Sequence, residues 1–190
     1  MNAEEKALLS LHLIPKIGNI TIKSLISHCG SAQAVLDLPQ SKLLKIPGIG
    51  QKTIDNIKSR KITDYAEQEF AKAENQGVKI ISYLDKDYPF RLKQIPDAPI
   101  LIYTKGQFPI NRKQPTVAVV GTRNATPYGK KLTEEMIEKL SPLKPIILSG
   151  LAYGIDIHAH RAALKHQLST YAVMGSGIDV IYPSAHKSTA

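Results

Sequence analysis

The chain has 190 residues, room for one medium domain and a smaller one. Lys and Arg number 25 against 16 Asp and Glu, a formal charge of +9 that favours a polyanionic partner. A single cysteine, Cys29, rules out an internal disulfide, no apolar run approaches the about 20 residues of a membrane-spanning helix, and the acid-bearing start is no signal peptide. These features predict a soluble cytoplasmic protein.

Residues 1–62 read as a helical head. Apolar spacing predicts helices over Glu4 to Leu13, Thr21 to His28 and Ser31 to Leu38. A repeat lies within it: Ile14-Pro15-Lys16-Ile17-Gly18-Asn19-Ile20-Thr21-Ile22 returns as Ile46-Pro47-Gly48-Ile49-Gly50-Gln51-Lys52-Thr53-Ile54, identical at six of nine positions. This resembles tandem helix-hairpin-helix motifs. In the second copy Gly48 and Gly50 form a tight turn whose amides, at a helix start, can hold one phosphate, with Lys52 and Lys45 adding charge. The first copy has Lys16 where the second has Gly48, which leaves its turn conformation open. A phosphate grip and a helical docking scaffold both fit this head.

Residues 63–115 read as a connecting helix and a proline-rich lead-in. The helix covers 63–75 and ends at Gly77, and Val78 to Tyr83 alternates as a strand. Tyr88-Pro89, Ile95-Pro96, Ala98-Pro99, Phe108-Pro109 and Gln114-Pro115 exclude helix and central strand. The segment is expected to wrap the edge of a sheet, with Ile100-Leu101-Ile102-Tyr103 as a short strand before Gly106.

From residue 116 to 190 strands and helices alternate. Three short apolar runs each end in glycine: Val117 to Val120 before Gly121-Thr122-Arg123, Ile146 to Leu148 before Ser149-Gly150, and Tyr171 to Met174 before Gly175-Ser176-Gly177. Such runs predict buried parallel strands, with helices over Tyr128–Leu140 and Ile155–Leu164. The fold class is α/β, a Rossmann-like, mostly parallel sheet joined to the all-helical head. The strand ends of such a sheet share one edge, where ligands of open α/β folds bind. Three strands with no later helix leave apolar surface uncovered, so the sequence is expected to be a fragment of a longer protein.

The candidate site is a phosphate-binding crevice built from Gly121, Thr122, Arg123, Tyr128, Ser149, Gly150, Gly154, Asp156, His158, Gly175, Ser176 and Gly177. Glycines admit a close ligand, hydroxyls and helix-start amides donate to anions, and Arg123 is placed to fork onto phosphate or to cap an acid. Tyr128 either stacks on a base or packs beneath the loop. Asp156 is expected to cap the following helix and fix the loop, while His158 or His160 packs or contacts ligand. The two histidines lie on different helix faces from each other, which argues against a metal.

Taken together, Val117–Gly129, Ser149–Leu164 and Thr170–Pro183 resemble the DNA-processing protein DprA (Smf) family. Tyr88-Pro89, Leu92, Ile95, Ala98-Pro99, Leu101-Ile102-Tyr103 and Gly106 match that family's lead-in. The resemblance implies a Rossmann-like domain that binds single-stranded DNA and hands it to RecA recombinase in natural transformation, with neither cofactor nor catalysis. It places Arg123 on the family's basic pocket residue. Departures are Thr122, where many members have Ser, and His166-Gln167-Leu168-Ser169, where many have a glycine turn. The family's later sheet half and small C-terminal domain are absent, and with them the parts on which dimerisation and RecA contact largely rest. The competing enzyme reading, a nucleoside-monophosphate phosphoribohydrolase, requires a Pro-Gly-Gly-x-Gly-Thr loop that the sequence lacks. A third reading treats the whole as a structural module with incidental charge.

Overall fold

A computed structural model describes residues 2–107, 111 and 113–190. The chain divides after Gln107 into two compact units.

The first unit opens with α1 (Ala3–His12), started by a reciprocal cap in which Glu5 N–H donates to Asn2 Oδ1 and Asn2 N–H donates back to Glu5 Oε2. Then come α2 (Asn19–Cys29), α3 (Ala32–Asp37), α4 (Gln40–Leu43), α5 (Gln51–Ile57) and α6 (Arg60–Asn75). Glu4 of α1 accepts from the amides of Ala32 and Gln33, so one helix's acid satisfies the start of another. The two repeats fold alike. Lys16 has φ 67° where Gly48 has φ 79°, and the helix-opening Gly18 (φ −91°, ψ 169°) matches Gly50 (φ −93°, ψ 164°). Lysine has therefore been forced into the left-handed turn that its glycine counterpart adopts freely.

The strands β1 (Val78–Ser82) and β2 (Leu101–Lys105) flank the short helix α7 (Phe90–Lys93) and pair antiparallel, Ile80 opposite Tyr103. This revises the sequence expectation for the lead-in: Leu101–Lys105 bonds to β1 in a two-stranded sheet of its own, because its alternating pattern finds a matching neighbour already in this unit. Tyr88 is buried and its hydroxyl donates to Pro99 O at 2.6 Å, tying the two proline pairs together. Ile62, Ala66, Ile100 and Leu101 sit in the same core as Leu8, Ile22, Ile54 and Ile57. The core of this unit thus extends past the boundary expected at residue 62, and the head shares it with apolar side chains of the next segment. The Phe108-Pro109 pair lies outside the described residues.

The second unit is a three-stranded parallel sheet, β3 (Thr116–Ala118), β4 (Ile146–Ser149) and β5 (Thr170–Ala172), with β4 central. Register places Ala118 opposite Leu148 and Leu148 opposite Tyr171. Between the strands run α8 (Pro127–Leu140) and α9 (Ile155–Lys165). Helix α8 begins through Thr126, whose Oγ1 accepts from Gly129 N–H, with Pro127 in the first helical position. Ile137 of α8 and Ala159, Ala162 and Ala163 of α9 pack with Val117, Val119 and Ile147, so both helices cover one sheet face. On the other face lie Ala118, Val120, Leu148, Tyr171 and Val173; Val120 is 85% and Val173 66% exposed. Among the described residues no helix is long and apolar enough to cross a membrane.

Candidate nucleic-acid interface

Parallel pairing delivers the ends of β3, β4 and β5 to one edge, with the turn after β4 in the middle. The three turns expected to converge do so, but they differ in what they offer.

The first turn is open. The last ladder bond runs from Val119 N–H to Leu148 O. Beyond it the amides of Gly121, Thr122 and Arg123 donate to no group among the described residues. Thr122 Oγ1 accepts from Asn124 N–H at 3.1 Å, which folds the turn and leaves the hydroxyl proton free to donate. The Arg123 side chain is exposed, and among the described residues no carboxylate pairs with it. Of the two roles weighed for Arg123, the cap on a neighbouring acid has no acid to serve. Tyr128, on the first turn of α8, is 73% exposed and does not pack beneath the loop.

The second turn is committed to the protein itself. Gly154 has φ 80°, and a Cβ there would stand 2.1 Å from Thr122 O and 2.6 Å from Arg123 O. Ile155 N–H donates to Thr122 O, and a Cβ on Gly121 would stand 2.7 Å from Ile155 Cβ. The close approach of these two turns is by itself enough to require glycine at positions 121 and 154. Ser149 is buried and its hydroxyl donates to Val119 O at 2.7 Å, so it ties two strands instead of lining the crevice.

Asp156 departs from the role expected of it. Gly154 holds the cap position of α9, where no side chain caps, and Asp156 lies two residues on. Its Oδ2 accepts from Gly150 N–H at 3.2 Å, so it fixes the loop without capping the helix. A Cβ on Gly150 would come within 2.8 Å of that oxygen. Asp156 is 7% exposed, and its Oδ1 is buried without a partner.

His158 Nδ1 lies 2.8 Å from Glu134 Oε1 of α8, a bridge between helices outside the crevice. His160 is 2% exposed. Its Nδ1 lies 2.7 Å from Thr170 Oγ1, whose hydroxyl donates to Ile147 O, so Nδ1–H is the donor to Thr170. Burial lowers the His160 pKa below its ordinary 6.5, outweighing the opposing pull of Asp156. Asp156, His158 and His160 thus reach Gly150, Glu134 and Thr170 respectively and do not converge.

The third turn is open again. Gly175 has free space about it, and the amides of Gly175, Ser176 and Gly177 donate to no group among the described residues. Ser176 spends its hydroxyl proton on Val180 O at 2.9 Å. A Cβ on Gly177 would meet Asp179 Oδ1 at 2.7 Å.

One residue escaped sequence reasoning. His186, buried, donates from Nδ1 to Leu151 O at 2.7 Å, and its ring meets Tyr153 edge-on with centroids 5.1 Å apart. It steadies the second turn where Leu151 holds φ 60°. A lone histidine in an aperiodic stretch carries no pattern that would have marked it. In the first unit, Gly50 opens α5 with no side-chain cap, and Lys52 is exposed on its first turn.

The family model for DNA recombination-mediator protein A matches residues 79–190, and that for SAM-like helix-hairpin-helix tandems matches residues 5–60. Among relatives, the DNA processing protein DprA of Streptococcus pneumoniae is 46% identical over 114 residues, 60% of this chain and 40% of that protein. The DprA of Bacillus subtilis is 34% identical over 150 residues, 75% of this chain and 50% of that protein. Protein Smf of Synechocystis is 29% identical over 189 residues, 98% of this chain and 48% of that protein. The chain spans about half the length of these relatives, or less. The X-ray structure of DNA processing protein A from Streptococcus pneumoniae superposes with a TM-score of 0.77 at 31% identity, covering 99% of this chain and 63% of that one.

Proposed function

This chain belongs to the DprA/Smf family, with the Rossmann-like α/β fold and helix-hairpin-helix head that its sequence predicts, and on that premise we propose that it is a single-stranded-DNA-binding protein. Its role is to protect incoming DNA and load RecA recombinase in natural transformation and recombination, in the cytoplasm and without catalysis or cofactor.

The observation that carries this reading is Arg123, with no ion-pair partner among the described residues, beside three amides that donate to none of them, at the end of β3 on the edge it shares with the third turn. Guanidinium and amide donors grip phosphate oxygens irrespective of base, which gives binding without sequence preference. The second hairpin's Gly48, Gly50 and Lys52 supply a further phosphate contact in the first unit.

Fluorescence-anisotropy titration with single-stranded and duplex DNA of equal length tests this. Single strands of different sequence should bind alike, and affinity should fall with salt at a log–log slope of roughly 0.7 per phosphate neutralised. Salt-independent affinity, or preference for a free nucleotide in a thermal-shift screen, would point away from it.

A further inference from the structure

We infer that Asp156 excludes phosphate from the middle turn, so that a single strand is held by its backbone at the first and third turns and not at the second. The inference rests on the single-strand reading of this edge.

A glycine turn leading into a helix is ordinarily an anion site, since backbone amides and the helix dipole both favour negative charge. Here the site has an occupant. Gly150 N–H, the first amide beyond β4, is spent on Asp156 Oδ2, and a Cβ on Gly150 would collide with the same atom. The carboxylate fills the place an incoming phosphate oxygen would take. Its second oxygen, Oδ1, is buried with no hydrogen-bond partner, and among the described residues no Lys or Arg pairs with the group. His160, one helical turn further on, is held neutral by burial and has its Nδ1 proton committed to Thr170. The middle turn therefore presents a carboxylate that no Lys or Arg among the described residues neutralises, between two turns that present free amide donors. Like charges across a few ångströms of partly desolvated space repel, and the repulsion exceeds that in bulk water. Strands two places apart in a sheet are separated by roughly 10 Å, so the outer turns can each take a phosphate while the one linkage between them turns away from the middle turn.

Two measurements test this. First, on the unaltered protein, a short oligothymidylate carries a single neutral methylphosphonate linkage at each position in turn. One linkage should be replaceable with unchanged or improved affinity while its neighbours cost affinity; a loss at every position overturns the inference. Second, Asp156→Asn keeps an acceptor for Gly150 N–H and removes the charge. It should bind fluorescein-labelled oligothymidylate about two- to tenfold more tightly, with an unchanged melting temperature. Unchanged or weaker binding by a folded variant overturns the inference. Arg123→Ala separates the two readings: if it weakens binding while Asp156→Asn does not strengthen it, only the role of Asp156 fails. If Arg123→Ala leaves binding intact, the edge is not the site and both fail. Should Asp156→Asn unfold, the methylphosphonate scan decides alone.

Discussion

Arg123 and Gly154 sit on the same locked pair of turns yet carry opposite kinds of importance. The Arg123 side chain is exposed, and its guanidinium makes no hydrogen bond or ion pair with a described residue. Arg123→Ala should cost about 1.5–3 kcal/mol of single-strand affinity, the range for a charge-assisted contact, and leave the melting temperature unchanged. Anisotropy and thermal melting on the same preparation check both halves. Gly154→Ala is the reverse case. A methyl 2.1 Å from Thr122 O, on a backbone at φ 80°, must displace main chain and should cost roughly 2–5 kcal/mol in urea unfolding. A Gly154→Ala protein of parental stability would mean that the two turns are not pressed together.

His160 links the site to pH. Its folded pKa is lowered by burial, so the unfolded imidazole binds a proton that the folded one refuses. The stability it preserves is complete above 6.5 and is lost as pH falls from there toward the folded value. Half-buried His12, its pKa also lowered by desolvation, adds to the slope in the same direction. Urea unfolding at stepped pH should show stability declining below pH 6.5, and His160→Asn should flatten part of that decline. A slope indifferent to His160 would place its imidazole in contact with water.

At the scale of elements, the two hairpins show how a backbone requirement survives a change of residue. Lys16 at φ 67° and Gly48 at φ 79° perform the same turn. A side chain in that region costs about 1–2 kcal/mol, partly offset by the greater freedom of glycine in the unfolded chain. Lys16→Gly should therefore raise stability by up to about 1 kcal/mol, and Gly48→Ala should lower it by about 1 kcal/mol. Opposite signs in chemical unfolding are the expected outcome; equal signs would mean that the hairpins are not equivalent. A second consequence concerns α8 and α9. His158 joins Glu134 across them, so a residue expected near the ligand instead holds the two turn-bearing helices together.

At the scale of the whole molecule, the division after Gln107 makes a further prediction. Residues 1–62 lack Ala66, Ile100 and Leu101, which close the core around Leu8, Ile22 and Ile54. A fragment of residues 1–107 should melt cooperatively by circular dichroism, whereas 1–62 should melt at a much lower temperature or without a transition. Equal melting of the two fragments would return the boundary to residue 62.

Sequence alone determined what depends on short-range chemistry. Periodicity, glycine punctuation and the Thr126-Pro127 start place β3, β4, β5, α8 and α9, with β3 and β5 ending at Ala118 and Ala172, two residues before the apolar runs do, because backbone preference and capping act within a few residues. The repeated Ile-Pro-x-Ile-Gly motif likewise marked both hairpins. The open face holding Val120 and Val173 was foreseeable as well, since three parallel strands with two helices can cover only one side. Only the tertiary structure decided which polar side chains face the crevice and which face inward. Ser149, Asp156 and His158 have the residue types of a binding site, yet they satisfy Val119 O, Gly150 N–H and Glu134 Oε1. Those partners lie on neighbouring strands, turns and helices, and a buried polar group takes whichever partner the packed fold brings within 3 Å or so. The sequence names the donors and acceptors; packing decides which of them remain for a ligand.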